Sequence, residues 1–470
     1  MKKTPIICII LVLSILLPCM NVPVFAQQSA NSCHSILAQQ ALDGSDKKLD
    51  TAKVVILYEM TTDTMVYSYN ADKQINPTGL VKLLTVLIAL EMGDLDEMVK
   101  VRQSTLNTIK PGSVSAGLKA GEELPLRDLL KCIMVSSAND ACAVVAAHLG
   151  ENQAGFVEIM NTKAAQLGCT GSHFTNAHGL TDKEQYSTAR DLAIITLAAL
   201  ENPLFRELFG MTGCTIDATN KSDARKLKTT NNMMREGMAN YDKRITGGKP
   251  AAATTTDRSM ICTAKVGAAE YLCVVISAKG QVSDDGLVIL RYGIFEEVSA
   301  LLDYASSGFA VRQILDDSEV LYQFGVENGK NDVLLRPAQD ISVVLPVDCD
   351  SAQLHFERDV QADLLKAPIE RDQKMGTVTI RYGALVMGYC DLLSVTAVQG
   401  QDVIVQDTHR EDVPRTAKDN TMKQWITYGL VLLLAVGVVF IVGYVCLQAW
   451  RGARIRAQHR RRARKRKRSR

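Results

Sequence analysis

No two of the twelve cysteines in this 470-residue chain stand as C-x-x-C, and no histidine lies at metal-ligand spacing to any of them. The common zinc sites are thereby excluded, and neither a metal nor another cofactor is expected. No internal repeat is evident. There is no charged side chain anywhere between residues 424 and 450, and no acid after Arg451. An uncharged run of that length is enough to cross a hydrocarbon core of ~30 Å. Trp425, Tyr428 and Trp450 stand near its ends, as interfacial aromatics do.

What is present sorts by compartment. Lys2 and Lys3 precede an apolar run from Ile6 to Leu17 and then Val24-Phe25-Ala26, the pattern of a secretory signal over residues 1–26. The tail after residue 450 holds twelve lysines and arginines. By the positive-inside rule it is cytoplasmic and the body lies outside, a single-pass protein of the cytoplasmic membrane. Anionic lipid headgroups are the expected partner of the tail. Removing these twelve charges and the two of the leader from the net +2 leaves about −12 for the region between. An acidic ectodomain argues against a nucleic-acid partner.

Three cysteines (Cys8, Cys19, Cys446) fall in the signal or the span, leaving nine. An odd number cannot all pair within one chain, and most sit in apolar sequence, where cysteine behaves as a small hydrophobe. Cys262 and Cys273 flank a hairpin turn at Val266-Gly267 and can face each other, so a disulfide there is the one pairing the pattern offers.

Between the two ends the expected organisation is a polar leader over 27–48, a large domain over 49–305, a β-rich domain over 306–400, a linker over 401–423, the span over 424–450 and the basic tail over 451–470. Val54–Tyr58 and Met65–Tyr69 read as paired strands around Thr61-Thr62-Asp63. The stretch Leu83–Glu91 is apolar on nearly every side and free of Gly and Pro, which predicts a helix buried in a large core. Helical spacing runs from Leu126 to Leu149 and again from Glu151 to Leu167. Another helix starts after a Ser/Thr cap at Thr188, and strands return between Ile245 and Ala278. Beyond Ser306-Ser307-Gly308 short alternating runs, broken by Gly, Pro and Asp, predict an all-β segment.

Lys82 lies on the first turn of the buried helix, three residues after Gly79, so the two share a face. Downstream stand Ser137-Ala138-Asn139, Asn176-Ala177-His178-Gly179-Leu180 and Ile245-Thr246-Gly247. In combination and order, over about residues 45 to 400, these resemble the low-molecular-mass penicillin-binding proteins, the serine D-alanyl-D-alanine carboxypeptidases. The signatures of that family are S-x-x-K, S-x-N and K-T-G. The resemblance implies an α/β (α+β) fold: a β-lactamase/transpeptidase-like domain followed by a small all-β domain, here with a C-terminal transmembrane helix and a basic tail.

It also implies a chemistry that this sequence does not complete. In the family the serine of S-x-x-K is acylated, and the lysine three residues on takes its proton. Here the nucleophile position is Gly79, so no acyl-enzyme can form there. Thr78, one residue earlier, points about 100° away on a helix. The K-T-G lysine falls on Ile245, which removes a charge-assisted bond worth ~1.5–3 kcal/mol. Lys243, two residues earlier on the same side of a strand, and Lys249, in the turn expected to follow, are the substitutes.

The candidate catalytic residues are therefore Lys82, Ser137 and Asn139, and the candidate substrate-binding residues are Thr246, Gly247, Lys243 and Lys249. Thr246-Gly247 is expected to be the strand edge along which a peptide adds by backbone pairing. His178 is expected to hold a loop. These readings amount to a degenerate carboxypeptidase homologue that binds a peptidoglycan stem peptide or an envelope protein without cleaving it. The alternative is an active enzyme of the same family, with Thr78 or a water in place of the lost serine.

Overall fold

The computed structural model describes residues 41–42, 51–284 and 289–401. The signal, nearly all of the leader, the linker after Gln401, the span and the basic tail lie outside the described residues. Among the described residues no helix is long and apolar enough to cross a membrane.

Strands β1 (Val54–Glu59) and β2 (Thr64–Tyr69) form the expected hairpin. With β3 (Ile245–Ala252), β4 (Asp257–Val266) and β5 (Ala269–Lys279) they make one antiparallel sheet in the order β2-β1-β5-β4-β3. Both faces of this sheet are covered, so all six residues of β1 are buried. Strand alternation sends Val54, Ile56 and Tyr58 to one face and Val55 and Leu57 to the other. The first face packs on a helical layer and the second on α7 (Gly293–Gly308).

At the centre of the helical layer is α1 (Lys82–Met92), buried from Lys82 through Ala89. Around it lie α2 (Leu126–Ser136), α3 (Asn139–Leu149), α4 (Gln153–Gln166), α5 (Ala189–Leu200) and α6 (Pro203–Gly210). The Thr188 hydroxyl oxygen accepts from Asp191 N at 3.0 Å, the cap that starts α5. Leu126–Leu149, continuous in its apolar spacing, is two helices rather than one. The break is Ser137, in the left-handed region at φ 61°, ψ 31°.

After Gly308 the chain passes directly into β6 (Phe309–Leu315) and on to β7 (Tyr322–Phe324), β8 (Val333–Pro337), β9 (Ile341–Pro346), β10 (Leu354–Val360), β11 (Lys374–Tyr382) and β12 (Leu385–Ser394). They form a five-stranded sheet in the order β7-β8-β12-β11-β10 and a β6-β9 pair. This β-rich part has a core of its own around Val333, Leu335, Val378, Ile380 and Leu392. On β9, Val343 and Leu345 face that core while Val344 faces the core under α7. One strand thus belongs to both cores, and the described chain up to Gln401 is one compact unit.

Cys262 and Cys273 are direct partners across β4 and β5, as their spacing suggested. They are free thiols, hydrogen-bonded to each other, so the expected disulfide is absent.

Candidate active site

A short 3-10 turn, Thr78–Val81, leads into α1 and places Lys82 at its start with only 2 % of its surface exposed. The Lys82 ammonium position donates to Asn139 Oδ1 at 2.7 Å and to the backbone oxygen of His178. Asn139 opens α3, and its own N–H donates to Val114 O at 2.9 Å. The left-handed turn at Ser137 ends α2 one residue before Ala138 caps α3. That reversal sets the serine and asparagine side by side, facing Lys82.

Gly79 is at the focus of these groups. A β-carbon on it would lie 3.7 Å from Lys82 Nζ, 3.9 Å from Ser137 Oγ and 3.4 Å from Ala251 Cβ. All three are ordinary contact distances, and the backbone at Gly79 is outside the left-handed region. Neither space nor conformation requires a glycine there. Gly179 is the opposite case: its φ is +79°, and a β-carbon would fall 1.8 Å from Thr78 O. Thr78 itself is buried at φ 49° with its hydroxyl unpartnered, and it does not line the cleft.

The structure corrects the third motif. Strict alternation along β3 would put Ile245 and Lys249 on the same face. A bulge between Ile245 and Gly247 shifts the register by one, which reverses the face of everything after it. Ile245 packs in the core under α7, while Ala251 belongs to the helical-layer core and Lys249 pairs with Ile261 of that same face. Ile245 is therefore not the second-lysine position, and the cation is not lost. Lys249 lies inside β3, not in a following turn. It is fully buried, with Nζ donating to Met134 O at 3.2 Å.

The other three binding candidates are not in the cleft. Thr246 is exposed and donates to Thr263 Oγ1 at 2.8 Å. Gly247 packs against Phe209 of α6, where a β-carbon would approach the ring to 2.6 Å. Lys243 is exposed in the turn before the strand. The strand edge at the cleft is Pro250-Ala251-Ala252. The motifs thus stand as Gly79-x-x-Lys82, Ser137-x-Asn139 and Lys249-Pro250-Ala251.

Gly79, Lys82, Ser137, Asn139, Pro250 and Ala251 line a cleft of about 420 Å³, and Lys249 is buried next to its strand edge. Among the described residues no acidic side chain lines this cleft. Burial holds Lys82 below the usual lysine range. Burial first, and then the nearby Lys82, brings Lys249 down to about 7. The same two causes, in the same order, bring His178 down to about 4, so its imidazole is neutral at pH 7. Both acceptors of Lys82 are oxygens that can only receive, so a neutral amine there spends its two N–H groups on them. Its lone pair is left for a proton donor, and at Gly79 no side chain supplies one.

Sequence reasoning missed two features of this site. One is the His178 carbonyl, which fixes Lys82 through the backbone and so leaves no residue-type signal. The other is Arg258 of β4, opposite Ala252, which lines the cleft. Its position beside a strand edge becomes visible only once β3 and β4 are paired.

The sequence profile of the D-alanyl-D-alanine carboxypeptidase family matches residues 43–280, and the chain belongs to that family. It is 25% identical over 353 residues to the D-alanyl-D-alanine carboxypeptidase DacF of Bacillus subtilis, covering 74% of this chain and 86% of that one. Over 335 residues it is 27% identical to DacD of Escherichia coli, covering 69% and 81%. Its mixed α/β fold is that of the penicillin-binding proteins. The structure of penicillin-binding protein 5 from Haemophilus influenzae superposes with a TM-score of 0.59 at 24% identity, covering 76% of this chain and 100% of that one. A peptidoglycan synthesis regulatory factor from Streptococcus pneumoniae superposes with the same TM-score at 23% identity, covering 75% and 100%.

Proposed function

We propose that this chain is a catalytically degenerate D-alanyl-D-alanine carboxypeptidase homologue that binds a peptidoglycan stem peptide in its cleft without cleaving it. The observation that carries this reading is Gly79. The base position (Lys82) and Ser137 lie within 4 Å of where a Gly79 β-carbon would stand, Asn139 accepts from Lys82, and a second lysine (Lys249) is buried in the adjoining strand, but no nucleophile is present at position 79. The proposal extends to anchoring. The uncharged run over 424–450 and the basic tail behind it would hold the body on the outer face of a bacterial cytoplasmic membrane, with anionic lipids at the tail.

The test is covalent labelling of the purified chain with a fluorescent penicillin, read by intact mass. The unaltered chain is expected to give no acyl adduct, and a stable adduct would overturn the degenerate reading. Recovery of the chain from the soluble rather than the membrane fraction of cells would overturn the anchoring.

A further inference from the structure

At one edge of the β-rich sheet, β10 pairs with β11 on one side only. The pairing runs from Leu354 against Tyr382 to Val360 against Gly376 without a bulge. On the other side the backbone of β10 has no hydrogen-bond partner among the described residues. Its five central residues are exposed and the two at its ends half-buried. Phe356 leaves 43 % of its surface in water. Long edges are ordinarily blunted by proline, lysine or a bulge, because an open row of N–H and C=O groups invites another strand. This one has none of the three.

The edge carries charges instead, and their order decides what fits it. Leu354-His355-Phe356-Glu357-Arg358-Asp359-Val360 is complementary to itself when laid antiparallel about Glu357. Leu354 then meets Val360, His355 meets Asp359, and Phe356 meets Arg358. These are an apolar pair, a ring nitrogen against a carboxylate, and a cation against an aromatic face, each favourable across strands. Among the described residues neither His355 nor Asp359 has another side-chain partner. Arg358 is held on the face it shares with Phe356, 5.2 Å from the centre of the Tyr322 ring and 5.3 Å from that of Phe324. Only Glu357 meets its own copy, and each Glu357 already accepts from Arg381 Nε at 2.8 Å. A register moved two residues towards Val360 sets Arg358 against its own copy and Glu357 against Asp359. The charges therefore select one register.

We propose that β10 is the interface between two copies of this chain, joined edge to edge about a two-fold axis at Glu357. The pairing goes beyond the peptide-binding reading and does not rest on it, since β10 lies outside the cleft.

The experiment measures the mass of the full chain in detergent by light scattering over a series of protein concentrations. A concentration-dependent dimer is expected. His355→Asp sets like charges opposite each other at two places across the axis, and the dimer should weaken about tenfold. His355→Asp/Asp359→Lys puts opposite charges back at both places and should restore it, with thermal melts showing that both variants fold. A chain that stays monomeric overturns the proposal. So does a dimer that His355→Asp leaves unchanged, or one that the double variant fails to restore.

Cross-linking reads the register directly. Position 357 stands opposite its own copy at a Cα separation of ~4.5–5.5 Å. Glu357→Cys, oxidised by copper phenanthroline and dissolved oxygen, should give a reducible dimer above the background of the unaltered chain. Thr379→Cys, one strand further in, stands about 14 Å from its copy, three strand spacings away, and should not. Equal linking of the two variants, or linking of neither, overturns the pairing about Glu357.

Discussion

Replacing Gly79 by serine tests the argument at the point on which it turns. The new β-carbon meets Ala251 Cβ at 3.4 Å and nothing closer, so no cavity wall has to move. Exchanging glycine for a side chain at a compatible backbone position stabilises by about 0.4–1 kcal/mol, because the unfolded chain has less freedom to lose. The melting temperature should therefore hold or rise by a few degrees.

With Cβ 3.7 Å from Lys82 Nζ, one staggered rotamer brings the new hydroxyl to hydrogen-bond distance, ~2.8 Å. Lys82, which burial holds below the usual lysine range, then has a hydroxyl proton within reach. Losing the nucleophile of a serine enzyme costs on the order of 10⁶ in rate. Regaining even a small part of that should lift penicillin acylation about 10³-fold above background. The assay is a time course of fluorescent penicillin labelling with intact mass. The triple variant Gly79→Ser/Pro250→Thr/Ala251→Gly is run alongside to restore the hydroxyl and open the floor. If Gly79→Ser lowers the melting temperature sharply, the glycine is structural and the reasoning fails. If the variants fold and neither labels, the surrounding groups have drifted from catalytic geometry.

Ile245→Lys should not restore a cleft cation. It places an unpaired charge in the core under α7 and should cost roughly 3 kcal/mol, seen as a lower denaturation midpoint with no gain in ligand binding. Gly179→Ala should destabilise by at least ~1–3 kcal/mol, since its β-carbon collides with Thr78 O at a left-handed φ. Denaturant melts would show this, and an unchanged midpoint would mean that the turn does not hold Gly79 as described.

The buried lysines also predict a pH dependence. Lys249, at about 7 when folded against 10.5 for the free side chain, binds fewer protons in the native state than in the unfolded one between those values. Stability therefore rises from pH 7 towards pH 10. Lys82 acts in the same direction. Melting temperatures across that range should climb in the unaltered chain and climb less in Lys249→Met, and equal slopes would refute the assignment.

Much of this protein is determined by local pattern alone. The all-round apolar run after Lys82 became the buried centre of the helical layer, because only a covered helix can be apolar on every side. The pairing of β1 with β2, the cap at Thr188 and the period-two segments after Gly308 follow from spacing and turn chemistry in the same way. Lys82, Ser137 and Asn139 were found because each belongs to a short motif whose members are neighbours on one element or one turn. The missing side chain at Gly79 needed no structure to be seen.

Tertiary structure decided which lysine belongs to the cleft. Face along a strand is a matter of parity, and a single bulge between Ile245 and Gly247 inverts it with no residue that announces the change. It decided equally that the His178 carbonyl would reach Lys82 across 96 residues of sequence and that Arg258 would stand beside Ala252. Contacts of that kind depend on the register of paired strands and the packing of helices on them, which no local period encodes.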